Sequence, residues 1–235
     1  MFIRLGWMYL LVLIVAMLGA GGCAAKPRGH DYVFVTLKTG PNKEVLPEPR
    51  RKEIFDGHMA NIRRLAADGS LAIAGPFSKP ADPTWRGLFV LTTKDIEAAK
   101  AQVQTDPGVQ TGIFDAEYRS LLASPTILTA ASLDAKRRAA PATVPPTPPV
   151  RPYVIIIAAH GDRCMDALAR SGHAAQVVWC GRFTGTTEAV VVVDAPVPEP
   201  VREWLGVEAA HCSVDGWYST DALVDLPEDA RILLR

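Results

Sequence analysis

The feature that most restricts the fold of this chain is an order of strands and helices that occurs twice. Apolar periodicity and turn residues predict β-α-β-β-α-β in the first half, at residues 32–37, 52–67, 71–77, 88–92, 94–104 and 112–118. The same order is predicted again at residues 153–158, 163–171, 176–183, 189–193, 197–205 and 208–217. Residues 59–77 and 165–183 also align without a gap and keep a glycine and a phenylalanine in place. We infer an internal duplication.

Two strands of the second half indicate how the units pack. In a β-α-β-β-α-β unit both helices cover one face of the sheet, so the other face is polar unless something else covers it. Residues 154–158 and 190–193 are continuous apolar runs, which is typical of strands that are buried on both faces. The sequence therefore predicts an α+β protein whose two sheets pack face to face, with the helices outside.

The remaining segments are assigned by composition. Residues 121–152 are predicted to be a linker, because residues 140–152 are rich in proline and favour an extended polyproline conformation over a helix or a central strand. Residues 24–31 are predicted to be a polar tether, and residues 221–235 a C-terminal tail.

The N-terminus has the order of an export signal. Arg4 is followed by an apolar run at residues 5–18, by small residues, and by Cys23. This order resembles the lipobox of bacterial lipoproteins, in which the cysteine carries a diacylglycerol, although leucine is missing three residues before the cysteine. The resemblance implies residues 1–23 as signal peptide, attachment to the bilayer through Cys23, and a periplasm-facing protein. Ala24 favours the outer membrane. Cleavage after Ala25 and an uncleaved membrane helix remain alternatives.

Charge and motifs exclude several functions. The chain has 25 basic and 25 acidic residues and no long basic run, so we expect no nucleic-acid partner. Glycine-rich nucleotide motifs and the serine hydrolase motif are absent from the sequence, and we expect no cofactor. Cys164, Cys180 and Cys212 match no zinc spacing, so we predict no metal site; at most one disulfide can form among these three thiols.

Several separated motifs of the first half resemble those of one family. They are His58, Gly69, the segment Ala74-Gly75-Pro76-Phe77, the segment Arg86-Gly87-Leu88-Phe89-Val90, and Asp106-Pro107-Gly108 followed by Gly112. Over residues 32–120 the chain resembles the YciI-like (YCII-related) family, small ferredoxin-like proteins that generally pair as homodimers in a dimeric α+β barrel. Two tandem ferredoxin-like units in one chain then imply an intramolecular version of that barrel, and a monomer.

The resemblance also implies a site. In the family a His and an Asp lie beside the sheet, and a few relatives are associated with elimination or isomerisation of small aromatic-derived molecules. The matching residues here are His58 and Asp106, which would act as a general base and its orienting partner. The alternatives are a helix-start histidine bonded to solvent or backbone, and an aspartate that only caps a turn. In the second unit Cys164 stands at the position of His58 and Arg182 at that of Pro76, so we expect one site per chain.

Trp85 and Arg86 are further candidates for ligand binding, since they lie beside the third strand and Arg86 could hold an anionic group. Three functions are compatible with these residues. The first is a lipid-anchored YciI-like protein that binds a small molecule or an envelope partner. The second is a lyase or isomerase with a single His-Asp site, and the third is a structural envelope lipoprotein.

Overall fold

The computed structural model describes residues 29–139 and 150–233. The first half contains strands β1 (His30–Thr39), β2 (Leu71–Ser78), β3 (Trp85–Leu91) and β4 (Phe114–Ala123), and helices α1 (Glu48–Ala67), α2 (Ile96–Val103) and the short α3 (Pro107–Gln110). Helix α4 (Ala130–Ala139) follows. The second half contains strands β5 (Val150–Ala158), β6 (Val177–Phe183), β7 (Ala189–Val193) and β8 (Cys212–Thr220), and helices α5 (Gly161–Arg170) and α6 (Pro198–Leu205).

The eight strands form one closed antiparallel barrel in the order β1-β3-β2-β8-β5-β7-β6-β4. Each half contributes a four-stranded sheet with the same internal order, and the two sheets join at two seams. At one seam β2 pairs with β8, with Phe77 opposite Trp217; at the other β4 pairs with β6, with Leu121 opposite Phe183. The predicted fold class, two tandem ferredoxin-like units in an α+β barrel, is confirmed.

The sheets are buried on both faces, as the apolar runs predict. Along β5, Tyr153 and Ile155 point into the barrel, where they belong to its central core cluster. Val154 and Ile156, which alternate with them, pack outward in a second cluster with Cys164 and Leu168 of α5. A third cluster lies outside the first sheet, beneath α1 and α2. Helices therefore cover the outside of the barrel, and side chains from both halves fill its interior.

The glycine that the two repeats share lies where the two sheets join, and the close approach of strands there requires it. A Cβ on Gly75 of β2 would lie 1.8 Å from the carbonyl oxygen of Tyr218 in β8, and a Cβ on Gly181 of β6 would lie 2.9 Å from Leu121 Cδ1 in β4. Both glycines allow strands of opposite halves to approach closely. The matching residues of the repeat thus belong to barrel closure.

Two tyrosines show the same internal symmetry. Tyr32 and Tyr153 are fully buried, and each hydroxyl donates a 2.9 Å hydrogen bond to a backbone carbonyl at the end of the last strand of its own half. The acceptors are Ser124, directly after β4, and Thr220, the last residue of β8. Burial raises the pKa of each phenol well above its ordinary value. Each acceptor residue also caps a short 3₁₀ helix with its side chain.

The structure differs from the sequence-based boundaries in the predicted linker and tail. Residues 121–123 belong to β4, residues 130–139 form α4, and Val150–Pro152 already pair with β8. Pro152 fits in a strand because β7 pairs with β5 only from Val154 onward, so the proline interrupts no ladder on that side. After Thr220 the chain packs into the barrel core through Leu223, Leu226 and Ala230, and so is not a free tail.

Smaller differences concern helix and strand ends. Helix α1 begins at Glu48, a full turn before the predicted start, because Pro47 and Pro49 are compatible with a first helical turn. Residues 206–211 form a 3₁₀ helix, so His211 and Cys212 do not share a strand as predicted. Within the described ranges no helix has the length and apolarity needed to cross a membrane. The predicted signal peptide and Cys23 lie outside the described residues.

Candidate functional site

His58 and Asp106 meet on the outer face of the first sheet. His58 lies in the middle of α1, and Asp106 precedes α3; His58 Nδ1 is 2.6 Å from Asp106 Oδ2. Only 9% of the His58 side-chain surface is exposed, and none of that of Asp106. The other carboxylate oxygen, Oδ1, accepts a 2.8 Å hydrogen bond from the backbone N–H of Gly108. Asp106 is therefore a helix cap and a histidine partner at the same time.

This arrangement fixes the imidazole tautomer. An ionised carboxylate only accepts hydrogen bonds, so His58 Nδ1 must carry the proton that lies between the two residues. The lone pair of a neutral imidazole is then on Nε2, which has no hydrogen-bond partner among residues 29–139 and 150–233. His58 is thus equipped to accept a proton, or a hydrogen bond, at Nε2.

Three phenylalanines surround the imidazole. The ring centroids of Phe55, Phe89 and Phe114 lie 5.9, 6.1 and 5.1 Å from that of His58. Phe55 lies one helical turn before His58, Phe89 projects outward from β3, and Phe114 begins β4. The His-Asp pair therefore has a largely apolar setting, in which its hydrogen bond is stronger than in water.

An open cleft of about 350 Å³ adjoins these rings. Its walls are apolar at the base and charged at the rim, and the residues that line it are Lys43, Glu48, Arg51, Lys52, Ile54, Phe55, Arg86, Ile113 and Phe114. His58 itself is not part of this lining; it contacts the cleft through the rings of Phe55 and Phe114. The volume is at the lower end of the range for small-molecule sites.

The structure separates the other two predicted ligand residues. Trp85 and Arg86 form a β-bulge in β3, where the pairing with β1 shifts between Leu37 and Lys38. Arg86 lines the cleft, and its Nε donates a 2.6 Å hydrogen bond to Thr39 Oγ1. Trp85 instead contacts Phe77 of β2, with 5.1 Å between the two ring centroids. Phe77 packs against the core inside the barrel, so Trp85 lies on that side of the sheet.

The cationic rim and the aromatic walls of the cleft were not predicted from the sequence. Lys43, Arg51 and Lys52 lie on the loop and first turns that precede His58, where they look like ordinary surface charges. Phe55 could have been predicted as a neighbour of His58, because residues three apart on a helix lie on the same helix face. Phe114 could not have been predicted in this way, since its contact with α1 depends on the path of the chain through α3.

The second half has a different arrangement at the matching place. Cys164 of α5, at the position of His58, is buried in the outer cluster of the second sheet, and Cys212 at the start of β8 packs against the same cluster. The interaction with Cys212 and burial raise the pKa of Cys164 well above its ordinary value, whereas the interaction with Cys164 lowers the pKa of Cys212. Arg182 bonds to Asp162, 2.8 Å away. No His-Asp pair is present there.

Comparisons with known proteins agree with the fold and with this division. The model of the YCII-related domain matches residues 32–122. These residues form a YCII-related domain. The match contains both His58 and Asp106 and ends at the first barrel seam, before the second half begins. No curated protein matches the sequence.

Solved structures show the whole barrel in other proteins. A variant of chlorite dismutase from Candidatus Nitrospira defluvii superposes with a TM-score of 0.50 over 85% of this chain and 95% of its own, at 9% sequence identity. A second variant of the same protein also gives 0.50, over 83% and 94%, at 10% identity. At such identities the similarity establishes the fold alone, a chlorite dismutase-like α+β barrel in which the YCII-related domain is one half.

Proposed function

We propose that this chain binds a small molecule in the cleft of its YCII-related half, beside His58 and Asp106. The observation that carries the proposal is the buried 2.6 Å bond between these side chains, which leaves His58 Nε2 without a partner in the described part of the chain. A buried carboxylate is costly unless it is paired, and a cap alone would not require a histidine. The adjoining cleft, with its apolar base, supplies a volume that a metabolite-sized ligand fills.

The proposal is tested by thermal unfolding of the full chain, in detergent, against a small-molecule library. Wild type is compared with Asp106→Asn, which keeps the cap to Gly108 but turns an amide toward His58 Nδ1 and so moves the imidazole proton to Nε2. Cys164→Ser is the matched control in the second half. Support is a compound that stabilises wild type and the control but not Asp106→Asn. If no compound stabilises wild type, the structural role predicted as an alternative replaces this proposal.

A second candidate function is proton transfer on the bound molecule, because the unpartnered Nε2 of a tautomerically fixed histidine is the arrangement of a general base. The test follows incorporation of solvent deuterium into a bound compound by NMR. We expect His58→Gln to abolish incorporation while binding changes only a few-fold. Binding that is unaffected by His58→Gln, together with no incorporation in wild type, would leave binding without catalysis.

We also propose that the chain is exported and anchored to the bilayer through an acylated Cys23, facing the periplasm and favouring the outer membrane. Support comes from the order of the basic residue, apolar run, small residues and cysteine. Labelling with an alkyne fatty acid tests it: Cys23→Ala should lose the label and leave the membrane fraction, whereas Cys212→Ala should keep both. Membrane association of unlabelled Cys23→Ala would instead favour an uncleaved helix.

We further propose that the protein is a monomer, with its second half in the place that a partner subunit takes in the homodimeric relatives. Both barrel seams form within one chain, so no sheet edge of the described residues is open for a second copy. Sedimentation equilibrium at micromolar concentration should give the mass of one chain plus detergent; a twofold mass would contradict the proposal.

A further inference from the structure

We propose that the ligand of the cleft is a small monocarboxylic acid with a flat apolar body, whose carboxylate binds Arg86. This inference rests on the proposed function, since it names the chemical class of the molecule that the cleft holds. It comes from the distribution of charge partners around the rim and from the apolar base of the cleft.

Arg86 is the cation of the rim that lacks a carboxylate partner in the described parts of the chain. Lys43 pairs with Glu44 at 3.3 Å, Arg51 with Glu48 at 2.5 Å, and Lys52 with Asp56 at 2.8 Å. Arg86 is partly buried, and its one hydrogen-bond partner among the described residues is the neutral hydroxyl of Thr39. A partly buried, unneutralised guanidinium beside an apolar surface favours an anion from solution.

The guanidinium is held in a fixed position. Its Nε is bonded to Thr39 Oγ1, and the bulge at Trp85 and Arg86 directs the side chain to the cleft. Both terminal nitrogens remain without a partner in residues 29–139 and 150–233, and together they form the planar fork that binds a carboxylate through two parallel hydrogen bonds. A single unneutralised cation matches a monoanion better than a phosphate dianion.

The rest of the cleft selects the body of the ligand. Ile54, Phe55, Ile113 and Phe114 supply the apolar wall, and the phenylalanine rings offer flat faces for stacking. Phe55 and Phe114 are also the rings that contact His58. A molecule whose carboxylate binds Arg86 and whose apolar body lies on these rings therefore contacts the two side chains that connect the cleft with the imidazole.

The experiment titrates the full chain with phenylacetate, with its neutral isostere phenylacetamide, and with phenyl phosphate, and follows the NMR signals of Phe55 and Phe114. The same titrations are made on Arg86→Gln and on Lys100→Gln, a charge-matched control on α2, where Lys100 pairs with Glu97 away from the cleft. Melting temperatures of both variants are measured to verify folding. If Arg86→Gln fails to fold, Thr39→Val replaces it, because it releases Arg86 without removing the charge.

We expect phenylacetate to bind wild type at least tenfold more tightly than phenylacetamide or phenyl phosphate. Arg86→Gln should abolish the preference over the amide, and Lys100→Gln should keep it; with Thr39→Val the preference should shrink several-fold. Equal binding of acid and amide at Phe55 and Phe114 would overturn the carboxylate inference while leaving the small-molecule cleft intact. Tighter binding of phenyl phosphate, or no binding of phenylacetate at millimolar concentration, would also overturn the inference; the library screen then judges the proposed function separately.

Discussion

The two halves of this barrel have the same scaffold and different contents at the same place. Both keep the strand order and the seam glycine, which serve the closure of one barrel, and both keep a tyrosine buried in the barrel core. Outside the sheet they diverge: the first half holds His58 and Asp106 beside an open cleft, and the second holds Cys164 and Cys212 beneath its helices. A duplicated unit can thus retain its fold and lose the site, since packing and chemistry depend on different residues.

The largest effect is expected at the seams. In Gly75→Ala the new methyl group would clash with the backbone carbonyl of Tyr218, which cannot move without displacing β8. We therefore expect the free energy of unfolding to fall by about 3 kcal/mol or more. In Gly181→Ala the nearest atoms are Leu121 Cδ1, Ala123 Cβ and the carbonyl oxygen of Leu122, at 2.9, 3.0 and 3.1 Å. Because these distances are longer than the 1.8 Å at Gly75, a smaller decrease in the free energy of unfolding, about 1–2 kcal/mol, is expected. Urea unfolding measures both. Gly172→Ala, with open space around it, is the control for backbone strain alone; equal losses at Gly75 and Gly172 would contradict the close approach.

The next effect concerns alkaline stability and should be equal in the two halves. The folded pKa of Tyr32 and Tyr153 is raised by burial, so each phenol stabilises the fold fully below its unfolded pKa of about 10 and loses that contribution as pH rises above it. Above that pH, each tyrosine should lower the free energy of unfolding by about 1.4 kcal/mol per pH unit. Denaturant unfolding at pH 9 to 11 should show the decline, and Tyr32→Phe and Tyr153→Phe should each remove its own share. A flat profile in wild type would contradict burial of the phenols.

Asp106 should matter for stability as well as for binding. Asp106→Ala removes the cap to Gly108 and the bond to His58, and we expect a loss of about 2 kcal/mol. Asp106→Asn keeps the cap and should lose less. The comparison uses Asp162→Ala, an exposed aspartate in the first turn of α5, for which a change of about 0.5 kcal/mol is expected. Equal decreases in the free energy of unfolding for the two variants would show that the bonds of Asp106 do not stabilise the fold.

The smallest effect is a difference in thiol reactivity within the second half. Cys212 is half-buried and its pKa is lowered by the interaction with Cys164, whereas burial raises the pKa of Cys180 to about 12. Ellman's reagent at neutral pH should therefore modify Cys212 first, and Cys180 only after unfolding. Cys164→Ala should slow the modification of Cys212 a few-fold. Faster modification of Cys180 than of Cys212 in the folded protein would contradict this arrangement.

More of the barrel than of the candidate site could be predicted from the sequence. The two repeats and the apolar runs of β5 and β7 predicted the barrel, because a strand buried on both faces has a continuous run of apolar residues. The same reasoning missed the helix at residues 130–139 and the packed end of the chain, whose apolar side chains are too few and too scattered to show a period. It named His58, Asp106 and Arg86, but only the folded path through α3 and the bulge in β3 shows which side chains surround them.

The most direct test of the account is a long-range ¹H–¹⁵N spectrum of the protein labelled at its 5 histidines. At a pH where His58 is neutral, its Nδ1 should carry the proton and Nε2 should not; Asp106→Asn should reverse the two. Addition of a compound that stabilises the protein should shift the Nε2 signal of His58 and leave His160, His173 and His211 unchanged. A proton on Nε2 in wild type, or a bound compound that shifts a second-half histidine instead, would contradict a single His-Asp site in the YCII-related half.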